Sequence, residues 1–231
     1  MTRESSNGTC CFCGSCFAKS TMARHLKACK ARAKENEESA AKGVAVAKDS
    51  AIRTIIHLQV DGRYSPMYWM HIEIPENATL KDLDNFLRQT WLECCGHLSS
   101  FEIAGRTFIS EKMEPGDRSM KVALGKVIAP GMKFDHIYDF GTSTELSLKF
   151  VSAREGFAQD KAVRILARND PPDIRCECGK PATAVCCQCI CEGTGWVCDE
   201  CAKKHECGED MLLPVVNSPR VGMCGYTGEP Y

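Results

Sequence analysis

The sequence predicts an α+β protein: a central mixed sheet with one packed helix, and a small cysteine-rich module at either end. Two observations lead there. The seventeen cysteines are segregated, with five inside residues 10–29, ten inside 176–224, and only Cys94 and Cys95 between. The interval between the clusters reads as strand, strand, helix and then further strands, the order of a helix laid on one face of a sheet.

The head, residues 1–34, contains "CCFCGSCFAKSTMARHLKACK", in which Cys10 and Cys13 are followed by His25 and Cys29. Three intervening residues on a helix set His25 and Cys29 one turn apart on the same face, so both reach one tetrahedral ion. With Cys10 and Cys13 on a hairpin, the four side chains form a set suited to zinc. Phe17 and Met22 fall where such a unit keeps its apolar core. The segment resembles a zinc finger of C2HC type, with a Cys13–His25 gap of eleven residues, one shorter than usual. Cys13 with Cys16 is the alternative first pair, and Cys11 is a spare.

Charge is uneven although the net is −1. The head carries seven basic residues against Glu4, whereas residues 171–231 are net acidic. The finger helix is expected to present Arg24, Lys27, Lys30, Arg32 and Lys34, and basic residues on such a helix contact phosphates or bases. A protein partner is the equal alternative. Residues 35–50, rich in Ala, Lys and Glu, read as a helical extension fading into a linker.

The body, residues 51–170, opens with "AIRTIIHLQVDG", strand-like through its β-branched residues and closed by Asp61–Gly62. "MYWMHIEIP" is a second strand. In "NATLKDLDNFLRQTWLECCG" Thr79 caps a helix, Asp82 sits three residues on, and Leu80, Leu83, Phe86, Leu87 and Leu92 trace an apolar stripe that Gly96 ends. "SSFEIAGRTFIS", "FDHIYDFG" and "ELSLKFVSA" follow as strands.

Several motifs of the body stand in a telling order: Pro66 and Trp69, then Pro75, Thr79, Leu80 and Leu83, then His97, Phe101 and Gly105, and finally "YDFG" from Tyr138 to Gly141. In these, residues 52–155 resemble the plasmid pRiA4b Orf3-like family. The resemblance implies a compact α+β fold and supplies no biochemical function. Met70 stands where the family usually has arginine, and "TST" follows YDFG where acidic residues and a tryptophan are common.

Beyond Pro171–Pro172 the tail module, residues 171–231, spaces its ligands as Cys176-x-Cys178, Cys186-x2-Cys189, Cys198-x2-Cys201 and His205-x-Cys207. Four pairs supply eight ligands, enough for two tetrahedral zinc ions. The gaps resemble small cross-brace fingers of the B-box, MYND and AN1 types. That resemblance implies one site from Cys176, Cys178, Cys198 and Cys201, and another from Cys186, Cys189, His205 and Cys207. Cys187 and Cys191 interrupt the pattern and can replace a neighbour. The segment has too few large apolar residues to offset its chain entropy, so metal binding is expected to supply its folding energy. With the finger, the expectation is about three zinc ions per chain.

Other classes fare less well. No apolar run approaches the ~20 residues of a membrane span, and the polar start "MTRESSNGTCC" lacks a signal-peptide core. A cytoplasmic protein with reduced thiols and no membrane partner is expected. No glycine-rich phosphate loop, nucleophile elbow or HExxH helix is present. His71 and His136 can meet if their strands are adjacent, but alternation points Asp135 and His136 apart. Cys224 reads as a buried small hydrophobe, and His97, beside Cys94 and Cys95, as a helix-end histidine or a metal ligand. The sequence therefore favours a non-enzymatic zinc-binding interaction protein that binds nucleic acid, protein or both. A thiol-based or iron–sulfur redox protein, or an enzyme housed in the body, are the alternatives.

Overall fold

The computed structural model describes residues 6–46, 52–157 and 162–228. Strands β1 (Asn7–Cys10) and β2 (Cys16–Ala18) form a hairpin leading into α1 (Lys19–Ala28) and α2 (Lys30–Val46). The body follows with β3 (Ile52–Gly62), β4 (Trp69–Pro75), α3 (Leu80–Leu87), β5 (Ser99–Ile103), β6 (Arg106–Ile109), β7 (Arg118–Ser119), β8 (Lys133–Tyr138), β9 (Thr144–Phe157) and β10 (Arg164–Asn169). A second, small sheet contains β11 (Ala184–Cys186), β12 (Trp196–Val197) and β13 (Leu212–Pro214), with α4 (Asp199–Ala202) before β13. Among the described residues no helix is long and apolar enough to cross a membrane.

The main sheet runs β2-β1-β10-β4-β3-β9-β8-β5-β6-β7. Its pairs are antiparallel except β6–β7, which makes the sheet mixed. The fold is therefore α+β, as expected. The finger hairpin is not a separate lobe: β1 pairs with β10 in the register Gly8–Asn169 and extends the sheet. β10 itself, "RILARN", lacks clean alternation and went unread in the sequence, yet it links finger and body.

The two sheet faces take different covers. Ile56, Leu58, Val60, Met70, Ile72 and Ile74 face α3, where Leu80, Leu83 and Leu87 are buried against them. α3 begins with a capping box: Thr79 Oγ1 accepts from Asp82 N–H, and the Asp82 carboxylate accepts from Thr79 N–H. A π-turn at Arg88–Leu92 then buries Trp91 and Leu92 before Glu93 turns extended. On the opposite face Trp69, Leu166 and Ala167 pack with Met22, Leu26 and Cys10 of the finger. β4 is consequently buried along its whole length. Gly8 is required here, because a Cβ would lie 2.6 Å from the Trp69 ring.

Four sequence readings are corrected. α2 does not present Arg32 to solvent; its guanidinium is buried against Glu73 at 2.7 Å. His71 cannot meet His136, since β3 and β9 separate their strands, and it instead lies 2.9 Å from His57. The helix after Thr79 is α only to Leu87 and runs on to Leu92 in π geometry. Cys224 is exposed rather than buried.

Candidate metal centres

In the finger, Cys10 ends β1, Cys13 sits in the hairpin turn, and His25 and Cys29 come from α1 and its end. Their ligand atoms all fall within 4.8 Å of one another, with Cys10 Sγ 4.0 Å from Cys29 Sγ and Cys13 Sγ 3.4 Å from His25 Nε2. Phe17 stacks on the His25 ring at 3.9 Å and fixes its orientation. The Ser15 side chain and its N–H hydrogen-bond to Cys13 and hold its thiol down to about 6. Burial pushes Cys10 up to about 11. Cys16 is drawn away, donating to Asp170 at 3.3 Å.

In the tail module the structure brings together Cys176, Cys178, Cys198 and Cys201, and separately Cys186, Cys189, His205 and Cys207. The reason is topological. β11 carries Cys186 away from Cys176 and Cys178, and β12 returns antiparallel to set Cys198 beside the first pair. Cys178 and Cys198 sulfurs are 3.6 Å apart. In the other set Cys189 lies 3.6 Å from both Cys207 Sγ and His205 Nε2. An ion bound to sulfur at about 2.3 Å with tetrahedral angles separates its sulfurs by about 3.8 Å, so these spacings suit such an ion.

The thiolates are also prepared electrostatically. Backbone N–H groups of Cys178 and Cys198 hold Cys176 down to about 6. Burial works against the Cys186 thiolate, but the Cys189 N–H, His205 and the Gln188 N–H outweigh it, again to about 6. Gly195, at φ +88°, packs directly behind this set, where a Cβ would sit 2.7 Å from Cys189 Cβ. Cys187 stays outside, with its sulfur 3.7 Å from Met211 Sδ, and Cys191 is exposed.

A fourth group, Cys94, Cys95, His97 and Cys224, also has its ligand atoms within 4.8 Å of one another. The sequence hinted at it only through His97 beside the two cysteines, because Cys224 lies 129 residues from Cys95. Next to it, Lys81, Asn85, Arg88, Gln89, Glu93, Cys95 and Gly96 line a cleft of about 610 Å³.

The basic residues singled out on the finger, Arg24, Lys27 and Lys30, are all exposed. Arg24 and Lys27 stand on α1 away from Met22 and Leu26, which pack on the body, and Lys30 opens α2. Two histidine pairs lie in the interior. His136 Nε2 is 2.9 Å from Asp84 Oδ1, both fully buried, and Asp84 also accepts from Ser99 Oγ at 2.6 Å. Burial pushes His57 down to about 4 and His71 down to about 3, so both are neutral near pH 7.

No curated protein matches the chain. Among solved structures it is similar to a protein of unknown function from Methanosarcina mazei Go1, with 18% identity, a TM-score of 0.43, and coverage of 50% of this chain and 68% of that one. Residues 53–177 match the plasmid pRiA4b ORF-3-like protein family. The match spans β3 to β10 and reaches Cys176. More than half of the chain lies inside it, and the protein belongs to the plasmid pRiA4b ORF-3-like family.

Proposed function

We propose that the protein is a non-enzymatic, zinc-dependent interaction module of the cytoplasm whose finger helix binds nucleic acid. Zinc occupies the finger site and the two sites of the tail module, about three ions across these two modules, each with a full complement of four protein ligands. A catalytic zinc keeps a position open for water, and four ligands per ion leave none. Cys₃His and Cys₄ donor sets suit zinc, a borderline-soft ion without geometric demands of its own.

The observation that carries the nucleic-acid reading is the exposure of Arg24 and Lys27 on α1 and of Lys30 at the start of α2. None of the three pairs with a carboxylate among the described residues, so their charge is free to meet phosphates. The non-enzymatic reading is supported by the burial of Asp84, His136, His57 and His71, which a substrate cannot reach.

The test is fluorescence anisotropy of labelled duplex DNA and RNA across a salt series. Replacing Arg24, Lys27 and Lys30 together with Glu is expected to weaken binding at least tenfold and flatten its salt dependence. Equal binding by the variant would remove the nucleic-acid half of the proposal and direct attention to protein partners.

A further inference from the structure

Cys94, Cys95, His97 and Cys224 sit neither in the finger nor in the tail module's pair of sites. Cys95 Sγ lies 3.6 Å from Cys94 Sγ and 3.8 Å from Cys224 Sγ. His97 Nε2 is 2.9 Å from Cys95 Sγ and 3.3 Å from Cys224 Sγ. A tetrahedral ion with three sulfurs and one imidazole sets sulfur edges of about 3.8 Å and sulfur–nitrogen edges of about 3.6 Å. These two sulfur edges match, and a small rotation of the half-exposed His97 ring lengthens the two sulfur–nitrogen edges. A disulfide would need about 2.05 Å and would leave the third sulfur and the imidazole without a role.

The backbone is shaped to converge these groups. After the π-turn, Gly96 at φ +78° reverses the chain so that His97 returns to Cys95. Cys224 itself adopts φ +46°, between Gly222 at +78° and Gly225 at +70°. A non-glycine residue in that region is strained and persists only where its surroundings hold it.

The electrostatics add an independent observation. Arg220 is fully buried, and its Nη2 lies 3.3 Å from Cys94 Sγ and 2.8 Å from Asp139 Oδ2. Three thiolates around a divalent ion leave one negative charge, and the buried Arg220 guanidinium, shared between Cys94 and Asp139, offsets part of it. Asp139 is 3.5 Å from His97 Nε2 but is already engaged by Arg220 and by the N–H groups of Gly141 and Thr142.

We infer that Cys94, Cys95, His97 and Cys224 hold a fourth zinc ion, which fastens the C-terminal segment to the chain just after the π-turn that follows α3. Loading moves the thiol protons to solvent and changes no oxidation state. The segment so fastened brings Val216, Val221 and Tyr226 to the body's core, and Ser218 Oγ to the Trp91 carbonyl at 2.6 Å. The site is thus a staple between body and tail. It goes beyond the interaction reading, which depends on the finger alone.

Two measurements on the full chain, purified anaerobically, test it. Native mass spectrometry is expected to give four zinc ions for the unaltered protein and three for Cys224→Ser and for His97→Ala. Brief treatment with N-ethylmaleimide is expected to label the exposed spares Cys11 and Cys191 while sparing Cys95 and Cys224, which are exposed but held by metal. The labelling needs no variant, so misfolding of a variant leaves the inference testable. Three ions in the unaltered protein, labelling of Cys95 and Cys224 alongside the spares, or a mass two units low from a Cys95–Cys224 disulfide would each overturn it. Loss of nucleic-acid binding in the finger variant would leave these results unchanged.

Discussion

Arg32 donates from Nη2 to Glu73 Oε1 at 2.7 Å, with the two side chains only 11% and 3% exposed. The donor stands on α2 and the acceptor on β4, so the pair ties the finger's second helix to the inner strands of the sheet. Glu73 also accepts from Arg154 at 2.7 and 2.9 Å and from Arg164 at 2.6 Å. One carboxylate therefore gathers three guanidinium groups from α2, β9 and β10. Burial opposes the Glu73 charge, but hydrogen bonds from Arg154 and Arg32 outweigh it and hold the carboxyl down to about 2.

Replacing Glu73 with Gln should therefore be costly. The variant leaves three cations around a neutral amide, and breaking a buried pair by removing one partner costs about 3–5 kcal/mol. Urea unfolding followed by circular dichroism is expected to show a loss of that order. A change below about 1 kcal/mol would mean that the arginines find solvent instead and that the network does not hold the finger down.

Acid should weaken the fold through the same region. Glu73 has a folded value near 2 against an ordinary 4.5, so its stabilising contribution is full above 4.5 and is lost as pH falls toward 2. His57 and His71 are depressed from 6.5 to about 4 and about 3, chiefly by burial. The unfolded chain takes up their protons first, so they too lower stability as pH falls below 6.5. Melting temperature measured from pH 7 to pH 3 is expected to fall throughout. Glu73→Gln should flatten the part of the curve below pH 4.5, and an unaltered slope there would assign the acid sensitivity to other groups.

Gly195→Ala is expected to cost the tail module one zinc ion. The new methyl would meet Cys189 Cβ at 2.7 Å and Cys186 Cβ at 3.2 Å, displacing two ligands of one site. Gly193→Ala is the control. It shares the positive φ, at +78°, but its Cβ would point into open space. Metal analysis of the two variants should differ by one ion per chain; equal contents would mean that the loop yields without disturbing the ligands.

Much of the site chemistry was legible because it is local. His25 and Cys29 share a helix, Cys176 and Cys178 share a turn, and Thr79 and Asp82 share a capping box, so spacing alone describes them. Readings failed where a residue's fate depends on a distant partner. Arg32 looked like part of a basic surface, and only the docking of α2 over β4 turns it inward to Glu73. Alternation leaves open whether His71 can meet His136, because strand order is not written in it, and the sheet order instead sets His71 beside His57.

What the sequence determined by itself was the α+β class, most strands of the body and the start of its helix, and donor sets of the right chemistry at both ends. These follow from short-range periodicity and from spacings of a few residues, which the backbone translates directly into geometry. Only the tertiary structure decided that β1 joins β10 and makes the finger part of the main sheet. Only it carried Cys224 across the chain to Cys94, Cys95 and His97. Closing a loop of that length is set by the packing of Val216, Val221, Arg220 and Tyr226 on the body, and no local pattern around Cys224 encodes which surface will receive it.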